Sequence, residues 1–152
     1  MKRIACALLA AAAAALFVSS LPAVAQAADV PPADRVVAMY FHRTQRCPTC
    51  LKMGGYAEEA MKTGFAPQLK DRTVGFYYID FQDEKNAALT KGYRVTGPAL
   101  IIARVTNNKV VEFKDLKDIW THVRDKKAFV KYVQENVTAY RKKAGDLAKK
   151  SK

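Results

Sequence analysis

Two cysteines with two residues between them, in the segment Cys47-Pro48-Thr49-Cys50, are the side chains best suited to chemistry in this chain. A thiol pair at this spacing can exchange disulfides with another protein. The preceding residues, 36–41, are apolar and predict a buried strand, whereas residues 51–61 predict mostly helix. A disulfide that closes so short a loop would constrain the unfolded chain little. The spacing therefore favours redox catalysis over a structural crosslink.

The position of the pair predicts a different role for each thiol. Cys47 is expected at the helix N-terminus, where unpaired N–H groups and the helix dipole stabilise a thiolate, so it is the predicted nucleophile. Cys50, one turn further, is the predicted resolving thiol and should be less exposed. Pro48 suits the first helical turn because it has no N–H to leave unpaired. Pro48 and Thr49 are expected to tune the helix start and the reduction potential without reacting.

Cationic side chains precede the motif. His42, Arg43 and Arg46 lie within five residues of Cys47. A nearby positive charge favours the thiolate and lowers the pKa of a cysteine. A stabilised thiolate makes the corresponding disulfide more oxidising, so we expect a comparatively oxidising dithiol couple.

The N-terminus has the pattern of a secretory signal peptide. Met1-Lys2-Arg3 is followed by an apolar, alanine-rich run over residues 4–21 and by small residues of the A-x-A type at 23–27. We predict a signal peptide over residues 1–28, cleaved after residue 25, 27 or 28, with a retained membrane anchor as the alternative. Residues 29–152 would then form a single periplasmic or secreted domain in a compartment that permits disulfides. Cys6 would leave with the leader.

The chain is strongly basic. It carries 26 Lys and Arg against 14 Asp and Glu, a formal charge of +12, which loss of Lys2 and Arg3 with the leader would lower to +10. Export argues against a nucleic-acid partner. A basic face on the C-terminal helix predicts a solvated surface, with weak contact to an anionic membrane as the alternative; its residues are Lys131, Arg141, Lys142, Lys149 and Lys150. The sequence has no P-loop, nucleophile elbow or H-E-x-x-H motif.

Hydrophobic periodicity and turn residues predict an α/β fold. Strands are expected over 35–42, 73–80, 99–105 and 109–113, and helices over 48–64, 83–91, 116–123 and from 125 nearly to the end. A β-α-β unit joined to a β-β-α unit predicts a four-stranded mixed sheet flanked by helices. Asn107-Asn108 forms a turn that makes the last two strands antiparallel. Gly54-Gly55 predicts a kink or close packing in the first helix, and Trp120 is expected as a core anchor.

With these elements in place, residues 33–140 resemble the thioredoxin superfamily. The resemblance is carried by the dithiol motif after the first strand and by Gly97-Pro98 before the third. It implies a thioredoxin-like fold, with a short extra helix before the C-terminal helix, and protein thiols or disulfides as partners. It also implies that Pro98 follows a cis peptide bond, faces Cys47 and helps to bind the substrate backbone. No cofactor other than the dithiol and no metal is expected.

A narrower group is also similar. The run over 40–50, the segment 116–120 and the segment 127–133 resemble exported bacterial thioredoxin-like proteins labelled as the ArsF-type subunit of a nitrophenyl compound nitroreductase. That label implies a dedicated redox partner in a nitroreductase-type system. The chain differs from a thioredoxin at Phe41, where a thioredoxin has a buried carboxylate, and at Arg46, where it has Trp. Tyr77 and Tyr78 lie near the place of its buried Lys.

Two other functions are compatible with these residues. One is a thioredoxin-fold docking module whose dithiol acts on one fixed partner. The other is a thiol site for a soft ion such as Cu(I) or As(III). Both cysteines together with His42 or His122 give fewer than the four ligands that structural zinc takes. Each histidine is expected to be an ordinary, partly exposed side chain.

Overall fold

The structure, a computed structural model, describes residues 30–150, with side chains up to residue 145. The predicted signal peptide and Cys6 lie outside these residues. The elements are β1 (Arg35–His42), α1 (Pro48–Gly64), α2 (Ala66–Lys70), β2 (Val74–Asp80), a 3-10 turn (Glu84–Asn86), α3 (Ala87–Gly92), β3 (Ala99–Thr106), β4 (Lys109–Asp115), α4 (Ile119–His122) and α5 (Lys126–Lys150).

The four strands form one mixed sheet in the order β2-β1-β3-β4. β1 runs parallel to β2 and antiparallel to β3, and β4 is antiparallel to β3. β1 is central because its residues 36–41 are apolar without a break and are buried on both faces of the sheet. The predicted α/β fold, a four-stranded mixed sheet flanked by helices, is confirmed, including the short helix that precedes α5.

Alternate residues of β1 divide the core into two layers. Ala38 and Tyr40 face α1 and α5, and Met39 and Phe41 face the opposite layer. α5 contributes an apolar stripe at helical spacing, as predicted; its buried residues are Phe129, Val133, Val137 and Tyr140. The Asp125 side chain accepts a hydrogen bond from the Ala128 N–H at 3.0 Å and caps the start of this helix, also as predicted.

Some local expectations differ from the structure. α1 continues without interruption through Gly54-Gly55. Of the two predictions for this pair, a kink or close packing, close packing is therefore the correct one for Gly54. The helix expected from residue 116 begins only at Ile119, because the Leu116 N–H donates to the Leu100 carbonyl at 2.9 Å and stays tied to β3. α2 was not expected. Within residues 30–150, no helix is both long and apolar enough to span a membrane.

Candidate dithiol active site

The two thiols lie at the junction of β1 and α1. Cys47 is the N-cap of α1, in extended conformation, and Pro48 begins the helix. The Cys47 Sγ accepts a hydrogen bond from the Cys50 backbone N–H at 3.2 Å and lies 2.7 Å from the Cys50 Sγ. The Cys47 side chain is exposed, whereas Cys50 is only 4% exposed. The structure therefore presents one thiol to solvent and keeps its neighbour beneath it, as the sequence predicted.

Hydrogen bonds and burial separate the pKa values of the two thiols. The pKa of Cys47 is lowered, first by the hydrogen bond with the Cys50 thiol and then by backbone N–H groups at the helix start. Burial raises the pKa of Cys50, and the bond to Cys47 raises it further. This asymmetry suits the exposed sulfur for attack and leaves the buried sulfur protonated in the dithiol.

The Arg46 guanidinium packs against two aromatic rings. Its guanidinium carbon lies 4.9 Å from the Tyr78 ring centroid and 5.8 Å from that of Tyr40. Its Nε is buried and has no hydrogen-bond partner among the described residues. The Arg46 charge opposes the upward shift in the pKa of Cys50. The pKa of Cys47 is lowered first by hydrogen bonds, and the predicted tuning of the dithiol by Arg46 stays a prediction.

His42 and Arg43 have different neighbours. The His42 Nδ1 lies 2.9 Å from the Arg43 carbonyl oxygen, and its ring packs 6.1 Å from that of Tyr78. The pKa of Asp80 is lowered mainly by a hydrogen bond from Thr44, and His42 adds to this effect. Arg43 lines the cleft that contains Cys47. The main origin of the lowered pKa of Cys47 is thus hydrogen bonding, not the cations that the sequence pattern suggested.

An aromatic floor supports the start of α1. The buried Tyr40 hydroxyl donates to the Cys50 carbonyl at 2.8 Å, and burial raises its pKa. The Tyr78 hydroxyl donates to Glu58 at 3.1 Å. Gly54, one turn after Cys50, allows this packing: a Cβ there would lie 2.5 Å from Arg46 Nη2 and 3.0 Å from both tyrosine rings. The sequence predicted close packing at Gly54 but not that Tyr40, Tyr78 and Arg46 fill this space; the i, i+4 spacing of Cys50 and Gly54 was the available signal.

A cleft of about 600 Å³ opens beside the exposed thiol. It is lined by Arg43, Gln45, Arg46, Cys47, Pro48, Cys50, Pro98 and Trp120. Thr49 faces a neighbouring cleft. Trp120 is 48% exposed, so the expectation of a core anchor is wrong. The reason is that Ile119 and Leu116 are the side chains of this segment that pack in the core, which leaves Trp120 on the outer side of the short helix.

Pro98 lies beside the thiols, but the peptide bond before it is trans. The described residues contain no cis peptide bond, so the prediction of a cis Gly97-Pro98 bond is wrong. The trans form of an X–Pro bond is intrinsically favoured by about 0.5–1 kcal/mol. Pro98 also precedes the first residue of β3, where its missing N–H breaks no strand hydrogen bond. Its place in the cleft with Cys47 does agree with the resemblance.

The histidines are not brought to the thiols. Both are partly exposed, as predicted, and His122 packs 5.1 Å from the Tyr132 ring on α5. Among residues 30–150, no group of three or more His, Cys, Asp or Glu side chains is placed to hold a metal ion. The site accordingly offers two sulfur atoms as potential soft ligands.

Comparison with known proteins gives structural matches only. No family model matches the chain, and no curated protein matches it. Similar solved structures include thioredoxin-2, described as a component of malaria parasite protein secretion machinery, at 16% identity and a TM-score of 0.39, covering 60% of this chain and 82% of that one. Chloroplastic thioredoxin z is 20% identical, with a TM-score of 0.35 and coverage of 62% and 80%. A thioredoxin from Thermus thermophilus is 22% identical, with a TM-score of 0.34 and coverage of 59% and 72%.

Proposed function

We propose that this chain is an exported thiol–disulfide oxidoreductase that acts on protein dithiols and disulfides. The observation that carries the proposal is the contact between two unlike thiols: an exposed sulfur at a helix N-cap lies 2.7 Å from a buried one. Because the two sulfurs are so close, little movement is needed for the Cys50 sulfur to form a bond with the Cys47 sulfur. The exposed thiol also has the lowered pKa that nucleophilic attack requires.

The reaction is a two-electron exchange in two steps. The Cys47 thiolate attacks a disulfide of the partner, forms a mixed disulfide and releases the first partner thiolate. Cys50 then loses its proton and attacks the Cys47 Sγ, which releases the second partner thiolate and leaves a Cys47–Cys50 disulfide. The partner has gained two electrons and this chain has lost them. The reverse sequence oxidises a partner dithiol.

Location and partner are the finer parts of the proposal. The signal peptide pattern over residues 1–28 supports export to the periplasm or beyond, with residues 29–152 as the mature chain. The resemblance to the thioredoxin superfamily, and within it to ArsF-type nitroreductase subunits, supports a dedicated redox partner. Pro98 in the cleft is well placed to contact the backbone of that partner.

A trapping experiment tests this function. Cys50→Ser removes the second step, so the variant should accumulate covalent adducts through Cys47 when it is mixed with a disulfide-containing protein. Adducts that dithiothreitol releases and that are absent from Cys47→Ser would support the proposal. If Cys50→Ser formed no adduct with any disulfide, small or large, the exchange function would be lost and a docking module would remain.

A soft-ion site is a second candidate, because the two neighbouring thiols are ligands that soft ions such as Cu(I) or As(III) prefer, although the sulfurs would have to move apart from 2.7 Å to hold one. Such a protein would carry one ion per chain after purification under reducing conditions. The bound ion would protect both thiols from alkylation. Stoichiometric ion together with an absence of mixed disulfides would favour this function over exchange.

A further inference from the structure

Trp120 stands between two clefts. It lines the cleft that contains Cys47 and Pro98, and it also lines a second cleft of about 450 Å³. The other residues of the second cleft are Thr49, Lys52, Tyr56, Val123 and Arg124. A half-exposed indole next to a reactive thiol is well suited to contact another polypeptide, because it offers a large apolar area at small entropic cost.

The charges around Trp120 have one sign. Arg43 and Arg46 line the first cleft, and Lys52 and Arg124 line the second. Among the described residues, no carboxylate lines either cleft. Glu59, three residues after Tyr56 on α1, is paired instead with Lys126 at 2.7 Å. A surface of this kind attracts negatively charged segments and repels basic ones.

Building on the proposed function, we propose that the two clefts select protein segments in which the reacting cysteine is flanked by an apolar residue and by acidic residues. Trp120 contacts the apolar side chain. Arg43 attracts carboxylates on one side of the indole, and Lys52 and Arg124 attract them on the other. The occupant is therefore an acidic, extended segment of a partner protein that crosses Trp120 while its sulfur reacts with Cys47.

Synthetic peptides that carry one cysteine as a mixed disulfide with thionitrobenzoate test this selection. Attack of the Cys47 thiolate on the peptide sulfur forms a protein–peptide disulfide and releases coloured thionitrobenzoate, which gives the rate. The reduced full-length protein is mixed with each of three peptides. The first has Leu next to Cys and Glu residues on both sides, the second has Lys residues in place of Glu, and the third has Ser in place of Leu and keeps the Glu residues. The acidic Leu peptide should react at least about tenfold faster than the basic one at low ionic strength. Salt should reduce this ratio.

Variants locate the effect. Lys52→Glu and Arg124→Glu should each lower the ratio of acidic to basic rates. Lys109→Glu is the control, since Lys109 pairs with Thr106 at the opposite end of the sheet from the thiols, and it should keep the ratio. Trp120→Ala should remove the preference for Leu over Ser, and Trp120→Phe should restore much of it.

Other outcomes would overturn the inference. Equal rates for acidic and basic peptides would do so, as would a ratio that responds to Lys109→Glu as strongly as to Arg124→Glu. A glutathione mixed disulfide that reacts as fast as the acidic Leu peptide, with no effect of Trp120→Ala, would show that the clefts serve small anions instead of polypeptides. Failure of all peptides to release thionitrobenzoate would instead contradict the proposed exchange function.

Discussion

Gly54 and Arg46 share one space beneath the dithiol. A Cβ on Gly54 would lie 2.5 Å from the Arg46 Nη2, so the absence of a side chain on α1 allows the guanidinium to lie over the Tyr78 ring. Glycine inside a helix costs about 1 kcal/mol relative to alanine. Glycine is nevertheless present here because the Arg46 side chain, from the loop before α1, packs against the helix at this position.

Alanine substitution at the two adjacent glycines should have opposite effects. Gly54→Ala forces Arg46 and the buried Tyr40 ring to move, so we expect a loss of about 1–3 kcal/mol in the free energy of unfolding. A Cβ on Gly55 would meet no atom within 4 Å beyond its own stretch of helix, and Gly55→Ala should stabilise the protein by about 0.5–1 kcal/mol. Urea unfolding of both variants measures the difference. Equal stability of the two would show that the space beneath Cys50 is not tightly filled.

The rate at which Cys47 is alkylated should rise with pH around a midpoint that lies below the pKa of an ordinary cysteine, which is about 8.5. The lowered pKa arises first from the hydrogen bond with the Cys50 thiol. Cys50→Ala should therefore shift the midpoint of the iodoacetamide rate upward. Cys50→Ser, whose hydroxyl can still donate, should shift it less. Identical midpoints in all three proteins would show that the backbone N–H groups alone stabilise the thiolate.

The same shift predicts how pH affects the stability of the reduced protein. A pKa that is lower in the folded state favours the folded thiolate. The stabilisation is fully present above the pKa of the unfolded thiol and is lost as the pH falls through the folded value. As the pH is lowered through this window, the urea concentration at the unfolding midpoint should therefore fall by more for the reduced protein than for Cys47→Ser.

Arg46 should assist the second step of the proposed exchange. Burial is the main cause of the raised pKa of Cys50, and the Arg46 charge opposes it in part, so Arg46→Gln should make the buried thiol harder to deprotonate and should modestly slow its attack on the mixed disulfide. Arg46→Lys keeps the charge and should recover part of the rate. Stopped-flow measurement across pH checks this: the rate profile of Arg46→Gln should move to higher pH. A uniform drop in rate without movement of the profile would indicate a purely structural role.

Tyr40 should contribute to stability through its hydroxyl. The bond to the Cys50 carbonyl is buried, at 2.8 Å, and Tyr40→Phe removes it without changing the ring. We expect a loss of about 0.5–1.5 kcal/mol on unfolding. Tyr77→Phe serves as the control, because that ring is half exposed, and should change stability by less than about 0.5 kcal/mol. Equal effects of the two substitutions would argue against the hydrogen bond.

Local patterns in the sequence were sufficient for most of the fold. The bounds of β1 and the end of α1 at Gly64 agree with the prediction because apolar runs, Pro and Gly mark them directly. The antiparallel pairing of β3 with β4 followed from the turn at Asn107-Asn108. The start of α4 was wrong because Leu116 is held by Leu100, a residue of another strand, which periodicity does not reveal.

The sequence by itself determined the dithiol, its position after a buried strand and the unequal exposure of its sulfurs, because each depends on residues that are neighbours along the chain. Tertiary structure alone decided that Arg46 packs on Tyr78, that Trp120 is exposed beside Cys47 and that Pro98 follows a trans bond in the same cleft. The first two relationships join residues far apart in sequence, and the packing of the whole sheet selects among several conformations that are locally acceptable for each side chain.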